Sequence, residues 1–188
     1  MPNLYIIAGC NGAGKTTASY AMFPKMLDCK EFINADEIAK GLSPFQPETV
    51  AIEAGRLMIA RMNEMLRMQE DFAIETTLAT RSYANFIRRA HKEGYFVTLI
   101  YFWLESSELA IRRVEQRVRF GGHHVDDDVV IRRYHAGMRN LFSMFIPIAD
   151  YWLLIDNSTD PFRMIAEGNR TEIIDIHDED IFDYLKSV

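Results

Sequence analysis

Several features that would place the chain in other classes are missing. No apolar stretch approaches the 18 or more residues that a membrane-spanning helix needs. The first apolar run, Leu4-Tyr5-Ile6-Ile7-Ala8, is five residues long, ends at glycine and follows no basic segment. That is not the pattern of a secretory leader. The two cysteines, Cys10 and Cys29, make no metal-spaced pair and no disulfide framework. A reducing cytoplasm is therefore the expected location. There is no low-complexity tract, no Pro/Gly/Ser-rich linker and no internal repeat. The Leu-Ser-Gly-Gly-Gln stretch of transporter ATPases and the Asn-Lys-x-Asp base reader of GTPases are also absent, which leaves ATP as the expected nucleotide.

What is present reads as one globular unit. The 188 residues are enough for one substantial core, and 48% hydrophobic with 26% charged residues is ordinary for a folded domain. Net charge is −6, which argues against general nucleic-acid binding. The charge is unevenly placed. From Arg112 to Arg139 there are seven arginines, no lysine and four acids, a net +3 that leaves −9 for the remainder. Glu172 to Asp183 carries six acids and no Lys or Arg. A basic island in an acidic chain indicates a localised anionic ligand.

Short apolar runs alternate with helical patterns. Strands are expected at Leu4–Ala8, Glu31–Asn34, Phe72–Glu75, Phe96–Trp103 and Tyr151–Ile155, with a weaker one at Met164–Ala166. Their near-continuous apolar character fits parallel strands covered on both faces. Helices are expected from Lys15 to before Pro24, over Glu48–Met68, Ser82–Lys92 and Ser107–Arg119, and from Asp127 toward Met144. In the second of these, Val50, Ala54, Leu57, Met58, Met62 and Met65 form one apolar face. The alternation predicts a three-layer α/β/α sandwich.

Gly9-Cys10-Asn11-Gly12-Ala13-Gly14-Lys15-Thr16 satisfies G-x-x-x-x-G-K-[ST] between an apolar strand and a helix. The glycines let consecutive backbone N–H groups converge on phosphate, and the helix N-terminus adds its positive dipole end. Gly9, Asn11, Gly12, Ala13, Gly14, Lys15, Thr16 and Thr17 are the expected nucleotide contacts. Lys15 is expected at the β- and γ-phosphates and Thr16 at Mg²⁺.

Two strand ends carry carboxylates where ligands of open α/β sheets bind. Asp36, after Phe32-Ile33-Asn34-Ala35, is either a general base for an acceptor hydroxyl or the cap of a helix over Glu37–Lys40. Glu75 is read as holding substrate hydroxyls or a metal-bound water, or as a helix-capping or turn residue. Thr76 and Thr77 are read as phosphate or sugar contacts, or as turn residues. Arg113 and Arg117 share a helical face, while Arg132 and Arg133 lie beyond the Gly121-Gly122 break. Residues 112–139 thus read as an arginine-bearing lid in which His123 and His124 shape the loop. Trp152-Leu153-Leu154-Ile155-Asp156 has the look of a Walker B strand, but Asn157-Ser158 favours a turn near the nucleotide.

Taken in order, Gly9–Thr17, Ile33-Asn34-Ala35-Asp36, Glu75-Thr76-Thr77-Leu78, Arg113–Val125, Arg132-Arg133-Tyr134 and Asp156-Asn157-Ser158 resemble the zeta-toxin family of P-loop kinases, in its short single-domain branch. The resemblance runs from Leu4 to about Ala166. It implies a nucleotide-kinase-like fold, ATP or GTP as donor, Mg²⁺, and transfer to a hydroxyl. In the better-known toxins the acceptor is the amino sugar of UDP-N-acetylglucosamine, and the partner is an antitoxin protein. By that likeness Lys15 and Thr16 hold donor and metal, Asp36 is the base, Glu75 helps place the acceptor, and Arg117 with Arg133 or Arg132 stabilises the transferring group. The chain is shorter than those toxins, with no fused antitoxin domain in its sequence, and its lid carries the acidic run Asp126-Asp127-Asp128. Two other readings remain open: a nucleotide-gated module acting on a protein partner, and a small-molecule kinase outside any toxin role.

Overall fold

The computed structural model describes residues 1–22 and 29–188. Pro24, at which the sequence ends the first helix, lies outside them. Among the described residues, strands β1 (Asn3–Gly9), β2 (Glu31–Ile33), β3 (Phe72–Thr76), β4 (Phe96–Trp103) and β5 (Tyr151–Asp156) alternate with helices α1 (Lys15–Met22), α2 (Ala35–Leu42), α3 (Ala51–Met68), α4 (Ser82–Lys92), α5 (Ser107–Arg119) and α6 (Asp127–Asn140). Two further strands, β6 (Arg163–Asn169) and β7 (Ile173–Ile176), and a last helix, α7 (Glu179–Ser187), complete the chain.

The sheet order is β2-β3-β1-β4-β5-β6-β7. Its first five strands are all parallel, so their carboxyl ends point the same way. β1 is the middle one of these five, with Leu4, Ile6 and Ala8 fully buried. That burial is why the run is apolar at every position instead of alternating. The P-loop leaves the end of β1, and the Asp36 and Glu75 segments leave β2 and β3 on one side of it.

The sequence pattern and the structure differ in four places. The helix expected from Glu48 begins with a 3₁₀ turn at Pro47–Val50, and α3 itself starts at Ala51. Its buried stripe is Ala54, Met58, Met62, Met65 and Leu66, whereas Leu57 is exposed. One residue from Met58 is 100° around the helix, which turns Leu57 off the packed face. The helix expected to reach Met144 is α-helical only to Asn140 and continues as a π turn over Leu141–Phe145. The weak strand near Met164 is real and longer, but it runs antiparallel to β5.

The acidic tail also folds, adding antiparallel β7 and the helix α7. The acids hide a short apolar stripe. Phe182 and Leu185, three residues apart, are buried, and Phe182 stacks on Trp152 with centroids 6.4 Å apart. No helix among the described residues is long and apolar enough to cross a membrane.

Candidate active site

The P-loop conformation is set by its glycines. Gly12 has φ +80°, and a Cβ there would lie 2.6 Å from the Ala110 carbonyl oxygen of α5. Only glycine tolerates both conditions. The loop is braced from β5 as well: Asn157 Nδ2 donates to the Ala13 carbonyl at 2.8 Å and packs on Gly14. Arg113 ties α5 to the same turn by donating to the Asn157 and Ser158 carbonyls at 2.7 and 3.1 Å.

Inside the loop, Lys15 is buried. Its ammonium donates to the Cys10 carbonyl at 2.8 Å and lies 3.5 Å from Glu75 Oε1. The Thr16 hydroxyl donates to Glu75 Oε2 at 2.6 Å, and Asn34 Nδ2 donates to the same oxygen at 2.8 Å. Glu75 therefore gathers a lysine, a hydroxyl and an amide at the mouth of the P-loop. Sequence reasoning placed Glu75 near the site but missed Asn34, whose signal was its place one residue beyond a strand and two before Asp36.

Asn34 also settles what caps α2. Its Oδ1 accepts from the Asp36 and Glu37 N–H groups at 2.8 and 3.4 Å, so it occupies the N-cap position. The capping alternative for Asp36 is thereby removed. Asp36 sits in the first turn of α2, exposed.

Two clefts meet at Asp36. The smaller, about 240 Å³, is lined by Asn11, Lys15, Asn34, Glu75, Thr76, Thr77, Tyr83 and Arg133 besides Asp36. The larger, about 470 Å³, lies between α2 with its following loop and the α5–α6 connection, with Thr16, Thr17, Arg117, Gly122, His123 and His124 on its walls. Asp36 is common to both. The Arg133 guanidinium donates to Asn11 Oδ1 at 3.2 Å. Arg117 donates to the His123 carbonyl at 2.7 Å. Arg132 is exposed and lines neither cleft, since consecutive helical residues point about 100° apart.

Thr76 and Thr77 line the smaller cleft, and both also serve the turn: Thr76 Oγ1 accepts from Leu78 N–H at 3.1 Å and Thr77 Oγ1 from Ala79 N–H at 3.5 Å. Asp156 behaves differently from a metal ligand. It is buried and bonded to Ser158 and Arg163. Burial pushes its carboxyl up, but the hydrogen bonds from Ser158 and the Arg163 guanidinium outweigh that and hold it below the usual range. Residues beyond it, not Asp156 itself, touch the P-loop.

No group of three or more His, Cys, Asp or Glu among the described residues could hold a metal. The Thr16 hydroxyl and Glu75 carboxylate nonetheless fit a hard cation. Mg²⁺ is bound by one or two protein oxygens together with phosphates and water rather than by an all-protein cage.

This sheet, with five parallel strands, a P-loop at the middle one of those five and arginine-bearing helices over the strand ends, defines a P-loop protein of the kinase-type fold. The chain belongs to the zeta toxin family, whose model ("Zeta toxin") matches residues 1–144. An uncharacterized protein of Haemophilus influenzae is 31% identical over 127 residues, which cover 67% of this chain and 88% of that protein. Among solved structures, the AvrRxo1-ORF1:AvrRxo1-ORF2 complex with sulphate ions is similar at TM-score 0.79 and 18% identity, over 98% of this chain and 63% of the other. The same complex with ATP gives TM-score 0.75 at 19% identity. The PezAT toxin–antitoxin system of Streptococcus pneumoniae gives 0.65 at 17% identity, over 89% of this chain and 72% of that one. The chain thus spans about 63% of the AvrRxo1 chain it matches.

Proposed function

We propose that the protein is an ATP-dependent phosphotransferase that moves the γ-phosphoryl group to a hydroxyl of a small molecule. The observation that carries this reading is the position of Asp36, an exposed carboxylate shared by two clefts that both open onto the P-loop. The whole chain, 1–188, acts as one kinase-like domain, with residues 112–139 as its lid.

In this reading the acceptor hydroxyl gives its proton to Asp36 while its oxygen bonds to the γ-phosphorus. The bond from that phosphorus to the β,γ-bridging oxygen breaks, and ADP leaves. The P-loop N–H groups and Lys15 hold the β- and γ-phosphates, with Thr17 beside them. Arg133, in the smaller cleft at Asn11, and Arg117, on the wall of the larger cleft, neutralise charge on the moving group. Thr16 and Glu75 would hold Mg²⁺, which supplies neutralisation of the phosphate oxygens. Thr76 and Thr77, which line the smaller cleft, would meet acceptor hydroxyls, and Glu75 would help to orient them. Arg132, exposed away from both clefts, acts only if the lid moves.

ATP as donor is supported by the ATP-bound AvrRxo1 complex. Family membership favours UDP-N-acetylglucosamine, a nucleotide sugar, as the first acceptor to try. The toxin–antitoxin neighbour favours a separate antitoxin protein as partner and the cytoplasm as the location. The test is ATP consumption with a panel of sugar and nucleotide-sugar acceptors, followed by mass spectrometry of the product. A phosphorylated acceptor with wild type and none with Asp36→Asn supports the reading. Equal turnover by Asp36→Asn overturns it.

One observation favours a second reading, a nucleotide-gated module that signals to a protein partner. The acidic tail forms an exposed sheet edge at β7, away from the P-loop. Nucleotide-dependent capture of a defined partner with no phosphorylated product would select that reading. Growth arrest of an expressing bacterium that disappears with Lys15→Ala would separate a toxin from a kinase with another task.

A further inference from the structure

Asn34 is 6% exposed and every polar atom of its side chain is used. Oδ1 holds two of the free N–H groups in the first turn of α2, at Asp36 and Glu37. Nδ2 donates to Glu75 Oε2 at 2.8 Å and lies 3.5 Å from Thr16 Oγ1. Thr16 in turn donates to that same Glu75 oxygen at 2.6 Å. Asn34, Glu75 and Thr16 form a closed hydrogen-bonded triangle. One corner is tied to the helix that carries Asp36, another is the first turn of the P-loop helix, and the third ends β3.

We propose that Asn34 is a positioning residue for phosphoryl transfer, whose amide fixes the Asp36 helix to the Glu75–Thr16 centre so that acceptor and donor sites move as one unit. This rests on the kinase reading given above. The amide is suited to the task because it presents an acceptor and a donor at the two ends of one rigid planar group. Serine and aspartate cap helices about as well as asparagine. Neither can donate two hydrogens to Glu75 and Thr16 while capping. A residue needed only to start α2 would therefore be replaceable by either.

The first experiment compares Asn34→Ser with wild type in steady-state turnover. Loss of a residue that orients reacting groups from behind is expected to lower kcat by about 10–100-fold. KM for ATP should change by less than about threefold, because the P-loop contacts remain. Wild-type kcat in Asn34→Ser overturns the proposal and leaves Asn34 as a helix cap.

The second experiment does not need activity. Asn34→Asp sets two carboxylates side by side where one amide–carboxylate pair stood. Adding Glu75→Gln restores one donor and one acceptor with the polarity reversed. The urea midpoint of Asn34→Asp/Glu75→Gln is expected to rise above that of Asn34→Asp alone, whereas Glu75→Gln in the wild-type background lowers it. Equal effects of Glu75→Gln in both backgrounds show no link between the two side chains and overturn the proposal. If wild type turns over no acceptor, the phosphotransfer reading fails, and the denaturation cycle still decides whether Asn34 links the two sites.

Discussion

Arg133 of α6 reaches the side chain of Asn11 in the P-loop, 3.2 Å away and 122 residues earlier in sequence. Its neighbour Arg132 faces outward. The pair offers an internal control. Arg133→Ala is expected to lower turnover by 10²-fold or more, the scale of losing an arginine at a transferring phosphoryl group. Arg133→Lys should not rescue it, because an ammonium lacks the planar fork. Arg132→Ala should stay within about threefold of wild type. Steady-state kinetics of the three variants checks this, and equal losses at the two arginines would contradict the assigned roles.

Gly122 lies against the stem of Arg117. A Cβ at this position would overlap Arg117 Cγ and come within 2.9 Å of the Arg117 carbonyl. Gly122 N–H also donates to that carbonyl. Gly122→Ala is expected to displace the connection between α5 and α6 and shift Arg117 from the cleft. Turnover should fall about tenfold or more, with a smaller change in global unfolding because the position lies in the connection between α5 and α6 and outside the core. Kinetics and thermal unfolding measured together separate these effects.

Asp156 yields a pH prediction. Its folded carboxyl titrates below the ordinary 3.8 because Ser158 and Arg163 favour the charged form over the opposing cost of burial. A depressed folded pKa stabilises the fold above the unfolded pKa, and that contribution is lost as pH falls through the folded one. The stability difference between wild type and Asp156→Asn should be constant from pH 5 to 7 and shrink progressively below about pH 4. Denaturation midpoints of the two proteins across that range test it.

Cys10 sits inside the P-loop, yet it is not a reactive thiol. Burial pushes its pKa up to about 11, and the nearby Lys15 and Arg113 charges only partly offset this. Cys29 is likewise raised to about 11, mainly by burial. Both thiols should be protonated at pH 7.5 and react with maleimide or disulfide reagents far more slowly in the native protein than in urea. Thiol titration with and without denaturant gives the answer directly.

The parts of the site that follow a strand directly were legible in sequence. The P-loop, Asp36 and Glu75 each stand at the end of an apolar run, and strand ends in a parallel sheet converge by geometry. What sequence did not disclose was side-chain partnership. Nothing in local spacing tells that Asn34 bonds to Glu75, 41 residues on, or that Asn157 supports Ala13. The arginines show the same limit from the other side. Arg132 and Arg133 are alike in composition and adjacent, and only helix phase, which needs the boundaries of α6, separates them. The tail drew no element from sequence alone, because its charge outweighs its few apolar residues. Phe182 and Leu185 gain their partners, Trp152 among them, only once β5 and β6 are in place.

The strand β7 ends the sheet with all four of its residues exposed, three of them isoleucine. An open, apolar strand edge of this kind is ordinarily a template on which further copies stack. Here Glu172, Asp175 and Asp178 are interleaved with the isoleucines and accompanied by no lysine or arginine. Two such edges brought together would force like charges into contact. The acids therefore act as gatekeepers against self-association. Their guard is weakest in concentrated salt, which screens the charges, and strongest at low ionic strength.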